Sequence, residues 1–498
     1  MLKILTPLLV SALLLIVACE DEVFETRPSS GALEFSRDTV FLDTVFTNIS
    51  SSTRTFKVYN RSGQNISIPE VSLARGENSF YRLNVNGFTG KSFENVEIPA
   101  RDSIYVFVEA TIDFDAVSDP LYTDEVVFDK GSLAQEVKLI TLVQDAIFLF
   151  PEKDADGIKE TIVIGLDPDG EEIEVEGFYL DGSPNWSDEK PYVIYGFAGV
   201  RPGETLTLSK GAQVYFHRNS GLVFQSGARL KVEGTLDGKV VFQGDRLEQV
   251  FEDIPGQWSG ILLMEGSRDH SISHAIIKNS GVGIYADALT SDSGHGLMIE
   301  NSEIYNTTGF GLFARSSDIF GSNVVIGNNG NASLACTGGG SYRWVHSTFA
   351  NYWSNGVRNF PAVIISNLEG QVGGMDARFE NSVIEGNQGI EFLLEKQQGS
   401  DFTFFFSHNL LRFDDPGGSF AGDPLYDFTE DALYSNNIFN GNADFLGVER
   451  NDYRIGQESE AIGLGSLGSA QVAPFDLLGV DRTNAPDSGA YQHLVAEE

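Results

Sequence analysis

Cysteine is nearly absent. The 498 residues hold two, Cys19 and Cys336. Cys19 falls in the N-terminal leader, so Cys336 is left without a partner and no intramolecular disulfide can form in the exported chain. In Ser333-Leu334-Ala335-Cys336 it reads as a small buried residue. Basic residues are scarce, 33 Lys and Arg against 71 Asp and Glu, for a formal net charge of −38. That balance argues against nucleic acid or an anionic lipid surface as a partner. It suits solubility, bound divalent cations or a saline habitat, and most simply a solvated acidic surface. No Gly-x-Ser-x-Gly, metal-type His pair or phosphate-binding loop is present, so no cofactor and no metal site is assigned. With 53 Gly and only 4 Met, the composition fits an all-β, turn-rich protein of two or three domains.

What is there instead is a repeat. A polar residue is followed three positions later by an aliphatic one and two later by Asn: Asn301/Ile304/Asn306. The spacing recurs as His274/Ile277/Asn279, Asn323/Ile326/Asn328 and His346/Phe349/Asn351. It continues more loosely as Asn381/Ile384/Gly386, His408/Leu411/Phe413 and Ser435/Ile438/Asn440. The apolar anchors lie 27, 22, 23, 35, 27 and 27 residues apart. Repeats of this length without 3.6-residue periodicity predict a solenoid of stacked coils, a parallel β-helix, in which each coil buries its apolar side against its neighbours. Coils stack at about 4.8 Å, so equivalent residues form ladders. The Asn and His positions then serve as tight, left-handed corners.

Residues 1–19 carry one Lys and an apolar run from Ile4 to Val17, short for a bilayer span and placed as a cleaved signal. Ile16-Val17-Ala18-Cys19 resembles the bacterial lipobox, which implies lipidation of Cys19 and attachment to a membrane. Glu20-Asp21-Glu22, opening a tether over 20–31, resembles the export signal of Bacteroidetes surface lipoproteins. The resemblance implies an outer-membrane protein facing the cell exterior.

Residues 32–147 read as a β-sandwich, with strands expected at Thr39–Phe46, Thr53–Asn60, Tyr81–Val85, Ser103–Ile112, Glu125–Phe128 and Glu136–Val143. Phe56-Lys57-Val58-Tyr59-Asn60-Arg61-Ser62-Gly63 resembles the immunoglobulin-like modules of bacterial surface proteins, in architecture only, since no Cys pair is present. An acidic connector over 148–190 holds Asp154-Ala155-Asp156-Gly157 and Asp167-Pro168-Asp169-Gly170. Both lack the further ligands of a calcium loop and read as turns. The β-helix is expected over 191–445 and a closing segment over 446–498. With short strands broken by turns such as Arg201-Pro202-Gly203, the chain from about Pro191 onward resembles secreted right-handed parallel β-helix proteins, including the end, Pro486-Asp487-Ser488-Gly489-Ala490-Tyr491. The fold class is thus all-β: an immunoglobulin-like sandwich followed by a right-handed parallel β-helix.

That architecture hosts polysaccharide lyases, polygalacturonase-type glycosidases, phage tailspikes and non-catalytic surface proteins, and chooses none of them. Gly294-His295-Gly296 resembles the Gly-His-Gly of polygalacturonase-type enzymes. The repeat register places Asp269, Gly296 and Asp318 on three successive coils, making Asp269, His295 and Asp318 the candidate catalytic set, with Asp292 nearby. The family's other motifs are missing in order: Asp414-Asp415 follows the Gly-His-Gly instead of preceding it. Arg343, Arg358, Arg378 and Lys396 are available to a lyase, but no spacing singles them out. Trp258, Trp344, Tyr352 and Trp353 are candidates for stacking on sugar rings. The favoured expectation is a non-catalytic surface lipoprotein binding glycan or a partner. A polysaccharide hydrolase or lyase is the alternative, and the oligomeric state is left open.

Overall fold

The computed structural model describes residues 25–166, 169–291, 294–368 and 373–494. Cys19, Glu20-Asp21-Glu22 and Asp292 lie outside the described residues. The chain divides at Asp145/Ala146 into two compact units, each considered by itself.

The first unit is a two-sheet sandwich. One sheet joins Ile66–Leu73, Ser92–Ile98, Leu121–Phe128, Gln135–Gln144 and Thr39–Phe46, with Arg27–Pro28 added beside Ile66–Leu73. The other runs Glu34–Phe35, Arg54–Tyr59, Ser103–Ala110, Tyr81–Val85, Phe88–Gly90. Inward residues of both sheets, among them Val40, Leu42, Phe56, Val58, Val106 and Val108, form one core. The expected strands are present. Ile66–Leu73 and Ser92–Ile98 were not marked, because Pro69 interrupts the first and the second has an interrupted buried pattern at Ser92–Asn95. Arg27 and Pro28 pair with Ile66 and Ser67, so part of the expected tether belongs to this sheet. Two of the pairings are parallel, and the unit is described as a two-sheet sandwich without a family topology.

The second unit is a parallel β-helix with three strands per coil. Its second face shows the repeat directly. Ile277, Ile304, Ile326, Phe349, Ile384 and Leu411 pair in register down one ladder, each fully buried. Each buried aliphatic side chain contributes about 1.5–3 kcal/mol. The corner before this face turns on a single left-handed residue per coil: His274, Asn301, Asn323, His346, Asn381 and His408, all with φ between 48° and 56°. Asn tolerates this conformation because its short amide can bond locally. The corners are so tight that Leu312–Asn329 runs as one extended stretch through three of them, at Ser316, Asn323 and Asn328. In the last coil the equivalences shift by one: Leu411 pairs with Phe439 rather than Ile438, and the left-handed residue is Asn436 rather than Ser435.

Two boundaries differ from those read in the sequence. The first coil begins at Ile147, not 191, because Ile147–Leu149 pairs parallel with Tyr192–Ile194 and Glu172–Tyr179 with Phe197–Val200. The acidic stretch looked like a linker because its hairpin, Thr161–Leu166 with Glu172–Tyr179, keeps most side chains of the second strand in water while Ile162 packs against Phe197 and Val223. Asp154 Oδ1 accepts the N–H groups of Asp156 and Ile158, a turn. The C-terminal segment does not close the end of the solenoid. Phe413, Phe420, Tyr426, Phe428 and Phe439 do that. The segment lies along the second face instead, burying Tyr305, Val325 and Ala350 under Tyr453, Leu477 and Tyr491. It is held at three of these corners: Asn323 Nδ2 donates to Phe475 O, Asn381 Nδ2 to Ser466 O and Ser488 Oγ to His408 O.

Candidate functional site

The first face keeps an exposed outer surface. Its inward residues, such as Leu297, Ile319 and Tyr342, are buried, so their neighbours point outward by the two-residue period of a strand. Met298, Phe320, Arg343, Arg378 and Phe405 stand in register on successive coils. Beside them runs the row Asp318, Ser341, Asp376 and Thr403. From Met298 to Arg378 the stripe crosses three coil steps, about 14 Å.

Of the catalytic candidates, two come together. His295 Nδ1 lies 2.8 Å from Asp318 Oδ1, and the imidazole stacks over Phe320 with centroids 5.5 Å apart. Both side chains are partly open to water. Asp269 does sit in the register position of Gly296 and Asp318, since His270, Leu297 and Ile319 pair in sequence. Its carboxylate, however, accepts from Ser291 Oγ at 2.6 Å and Arg229 Nε at 3.2 Å. The Ser291 hydrogen bond, then the Arg229 partner, hold it below the usual carboxylate range. Both partners favour the ionised form of Asp269.

The cations of this face are also engaged. Arg343 Nε donates to Glu380 at 2.8 Å and its guanidinium lies over the Phe320 ring, 6.0 Å away. Arg378 Nε reaches Asp376 at 3.3 Å. Arg358 is elsewhere, buried against Glu391. Asp415 caps its own turn by accepting from Ser419 and Phe420.

Three of the four aromatic candidates are corrected to core. Trp258 is 2% exposed, stacks on Phe216 at 4.1 Å and donates to Lys278 O. Trp344 is fully buried and occupies the space left by Gly321 on the preceding coil, where a Cβ would lie 2.2 Å from the ring. Trp353 is 8% exposed. A wide ring on an inward position fills a coil interior, which periodicity alone does not distinguish from display. Tyr352 is half-buried and lines a cleft with Glu385 and Arg412, two residues the repeat pattern did not flag. Exposed aromatic surface also occurs on the sandwich, where Tyr105 and Phe107 stack 6.0 Å apart with Lys57 over Tyr105.

Cys336 is buried, and burial pushes its thiol well up, leaving it unreactive. Among the described residues no group of His, Cys, Asp and Glu converges as a metal site, and no helix is long and apolar enough to cross a membrane.

No family model matches this chain, and no curated protein matches its sequence. Among solved structures, one described as "The complex structure of XylC with xylose" is similar over 91% of this chain and 87% of that one, with 11% identity and a TM-score of 0.31.

Proposed function

We propose that this chain is a lipid-anchored bacterial surface protein that presents the first face of its β-helix to a glycan and holds it without cleaving it. The observation that carries the reading is the outward stripe of Met298, Phe320, Arg343 and Arg378, in which Met298 and Arg378 are exposed and Phe320 and Arg343 half-buried, with His295 stacked on Phe320. An apolar pair followed by two guanidinium groups, beside a row holding Asp318 and Asp376, suits an extended chain of hydroxyl-bearing rings. Against catalysis there, Asp269 is charged and already paired. The membrane anchor and outward orientation are supported by Ile16-Val17-Ala18-Cys19 and the acidic triplet that follows.

The test is retention of a panel of acidic and neutral polysaccharides on the immobilised chain. Retention on one glycan, lost in Phe320→Ala and Arg378→Ala, supports the reading; retention unchanged in both removes the face from consideration. The His295–Asp318 pair favours hydrolase or lyase activity as a second reading, because a carboxylate orients an imidazole as a base. Products released by the parent and absent with His295→Ala would establish it. For the anchor, Cys19→Ser should abolish labelling by fatty acid and free the chain from membranes; unchanged membrane association would refute lipidation.

A further inference from the structure

One surface of the sandwich is built unlike the acidic remainder of the chain. It is the outer side of the sheet Glu34–Phe35, Arg54–Tyr59, Ser103–Ala110, Tyr81–Val85, Phe88–Gly90. Phe56, Val58, Leu83, Val106 and Val108 turn into the core, so their neighbours turn outward by the two-residue period of a strand. Register sets those neighbours side by side. Lys57 stands opposite Tyr105, Thr55 and Asn84 on either side of Phe107, and Arg82 opposite Glu109.

Two rings lie open on the middle strand. Tyr105 is 48% and Phe107 38% exposed, with centroids 6.0 Å apart and planes 27° from parallel. Tyr59 extends the aromatic surface on the adjoining strand, with the Arg61 guanidinium 4.2 Å from its ring. On the other side Phe107 borders a cleft of about 600 Å³ lined by Arg82, Asn84, Thr89, Lys91 and Glu109. Contiguous rings left in water beside polar groups mark a contact surface.

Charge selects the occupant. In a chain of net charge −38, this face sets the cations Lys57, Arg61, Arg82 and Lys91 against the outward carboxylates Glu34 and Glu109. Both carboxylates are taken. Glu34 accepts from Arg61 at 2.8 and 2.9 Å, and Glu109 accepts from Thr53 and pairs with Arg82 at 3.5 Å. The two lysines, by contrast, have no carboxylate partner among the described residues. Lys57 Nζ sits 4.6 Å over the Tyr105 ring, and Lys91 Nζ donates to the carbonyls of Glu77 and Ser79, each at 2.8 Å. One ammonium therefore stands on the strand to one side of the ring pair, and the other beyond the strands to the opposite side. At physiological salt the Debye length is about 8 Å, so carboxylates farther away are largely screened while contact pairs on the face persist.

We propose that this face binds an acidic polysaccharide, its sugar rings stacked on Tyr105 and Phe107 and its uronate carboxylates paired with Lys57 and Lys91. Flat C–H faces of a sugar pack on aromatic rings, and charge-assisted hydrogen bonds to an ammonium are stronger than neutral ones. The Asn84 amide and Thr89 hydroxyl serve the sugar hydroxyls. The site belongs to the first unit alone and does not depend on the glycan stripe of the β-helix.

The experiment is calorimetric titration of the full chain in detergent at about 0.15 M salt. The chain carries Phe320→Ala and Arg378→Ala, so that the β-helix stripe contributes nothing. The probes are β-1,4-linked hexaglucuronate, its uncharged counterpart cellohexaose, and a hexaglutamate peptide. Hexaglucuronate should bind, and Tyr105→Ala and Lys57→Met should each weaken it about tenfold or more with the melting transition retained. Tyr105→Phe keeps the ring and Lys57→Arg the charge, so both should bind as the parent does. No binding of hexaglucuronate, or binding unchanged in both Tyr105→Ala and Lys57→Met, overturns the proposal. Cellohexaose binding as tightly as hexaglucuronate overturns the acidic class, and hexaglutamate doing so overturns the sugar.

Discussion

At the residue scale the molecule is governed by one conformational demand. The corners of each coil turn on left-handed residues, and Asn meets that demand while bonding the neighbouring coil. Asn323 Nδ2 donates to Asn301 Oδ1 at 2.9 Å, and Asn328 Nδ2 to Asn306 Oδ1 at 2.7 Å. Asn323→Ala should destabilise by about 2–4 kcal/mol, combining left-handed strain with lost hydrogen bonds. Asn323→Gly accepts the backbone angle and should cost roughly half as much. Equal losses in chemical denaturation would mean that strain is not what Asn relieves. On the ladder inside the corner, Ile326→Ala should cost about 3 kcal/mol by the same measurement, since the stacked neighbours cannot collapse into the space.

At the scale of elements, the first and second faces differ in what covers them. The second is covered by the C-terminal segment. Tyr453 lies directly over Gly327, where a Cβ would fall 2.4 Å from its ring. Loops between coils need their own anchors, and Arg358–Glu391 is the clearest. Both side chains are buried, Arg358 Nη1 bonds Glu391 Oε2 at 2.8 Å, and Glu391 also accepts the Ala362 and Gln388 N–H groups. Arg358→Met should cost about 3–5 kcal/mol, because it strands a buried carboxylate. Adding Glu391→Gln should recover part of that loss by removing the charge. If the single variant melts like the parent, the pair is not what orders the 351–362 loop.

At the scale of the whole molecule, buried titratable groups pull stability in opposite directions with pH. Burial depresses His270 to about 3 and holds His346 well below its ordinary value. Groups with depressed folded pKa values contribute fully above the unfolded value, about 6.5, and lose that contribution as pH falls. Glu385 is raised to about 7. Its contribution is full below about 4.5 and is lost as pH rises through its folded value. Between pH 4.5 and 6.5 the two histidines dominate, so stability should rise with pH. Each fully uncompensated histidine adds about 1.4 kcal/mol per pH unit. Glu385→Gln removes the opposing group and should steepen the rise in melting temperature across that window. An unchanged slope would mean that Glu385 is not protonated in the folded protein.

The sequence by itself determined the coil. A polar corner, an aliphatic anchor and a second Asn recur because each coil must solve the same stacking problem, and that periodicity is written locally. It even placed Asp269 and Asp318 in one register. Left to the tertiary structure was which side chains are used up. Asp269 is neutralised by Arg229, which precedes it by 40 residues. Trp344 fills the space left by Gly321. Residues 446–494 lie along a face rather than over an end, which decides that Gly327 and Ala350 are covered while Glu385 and Arg412 border a cleft. Glu385 and Arg412 each follow a ladder anchor, so a charge in that column was visible in the sequence. That Glu385 is buried with one carboxylate oxygen unbonded was not, because burial depends on a segment that the repeat does not encode.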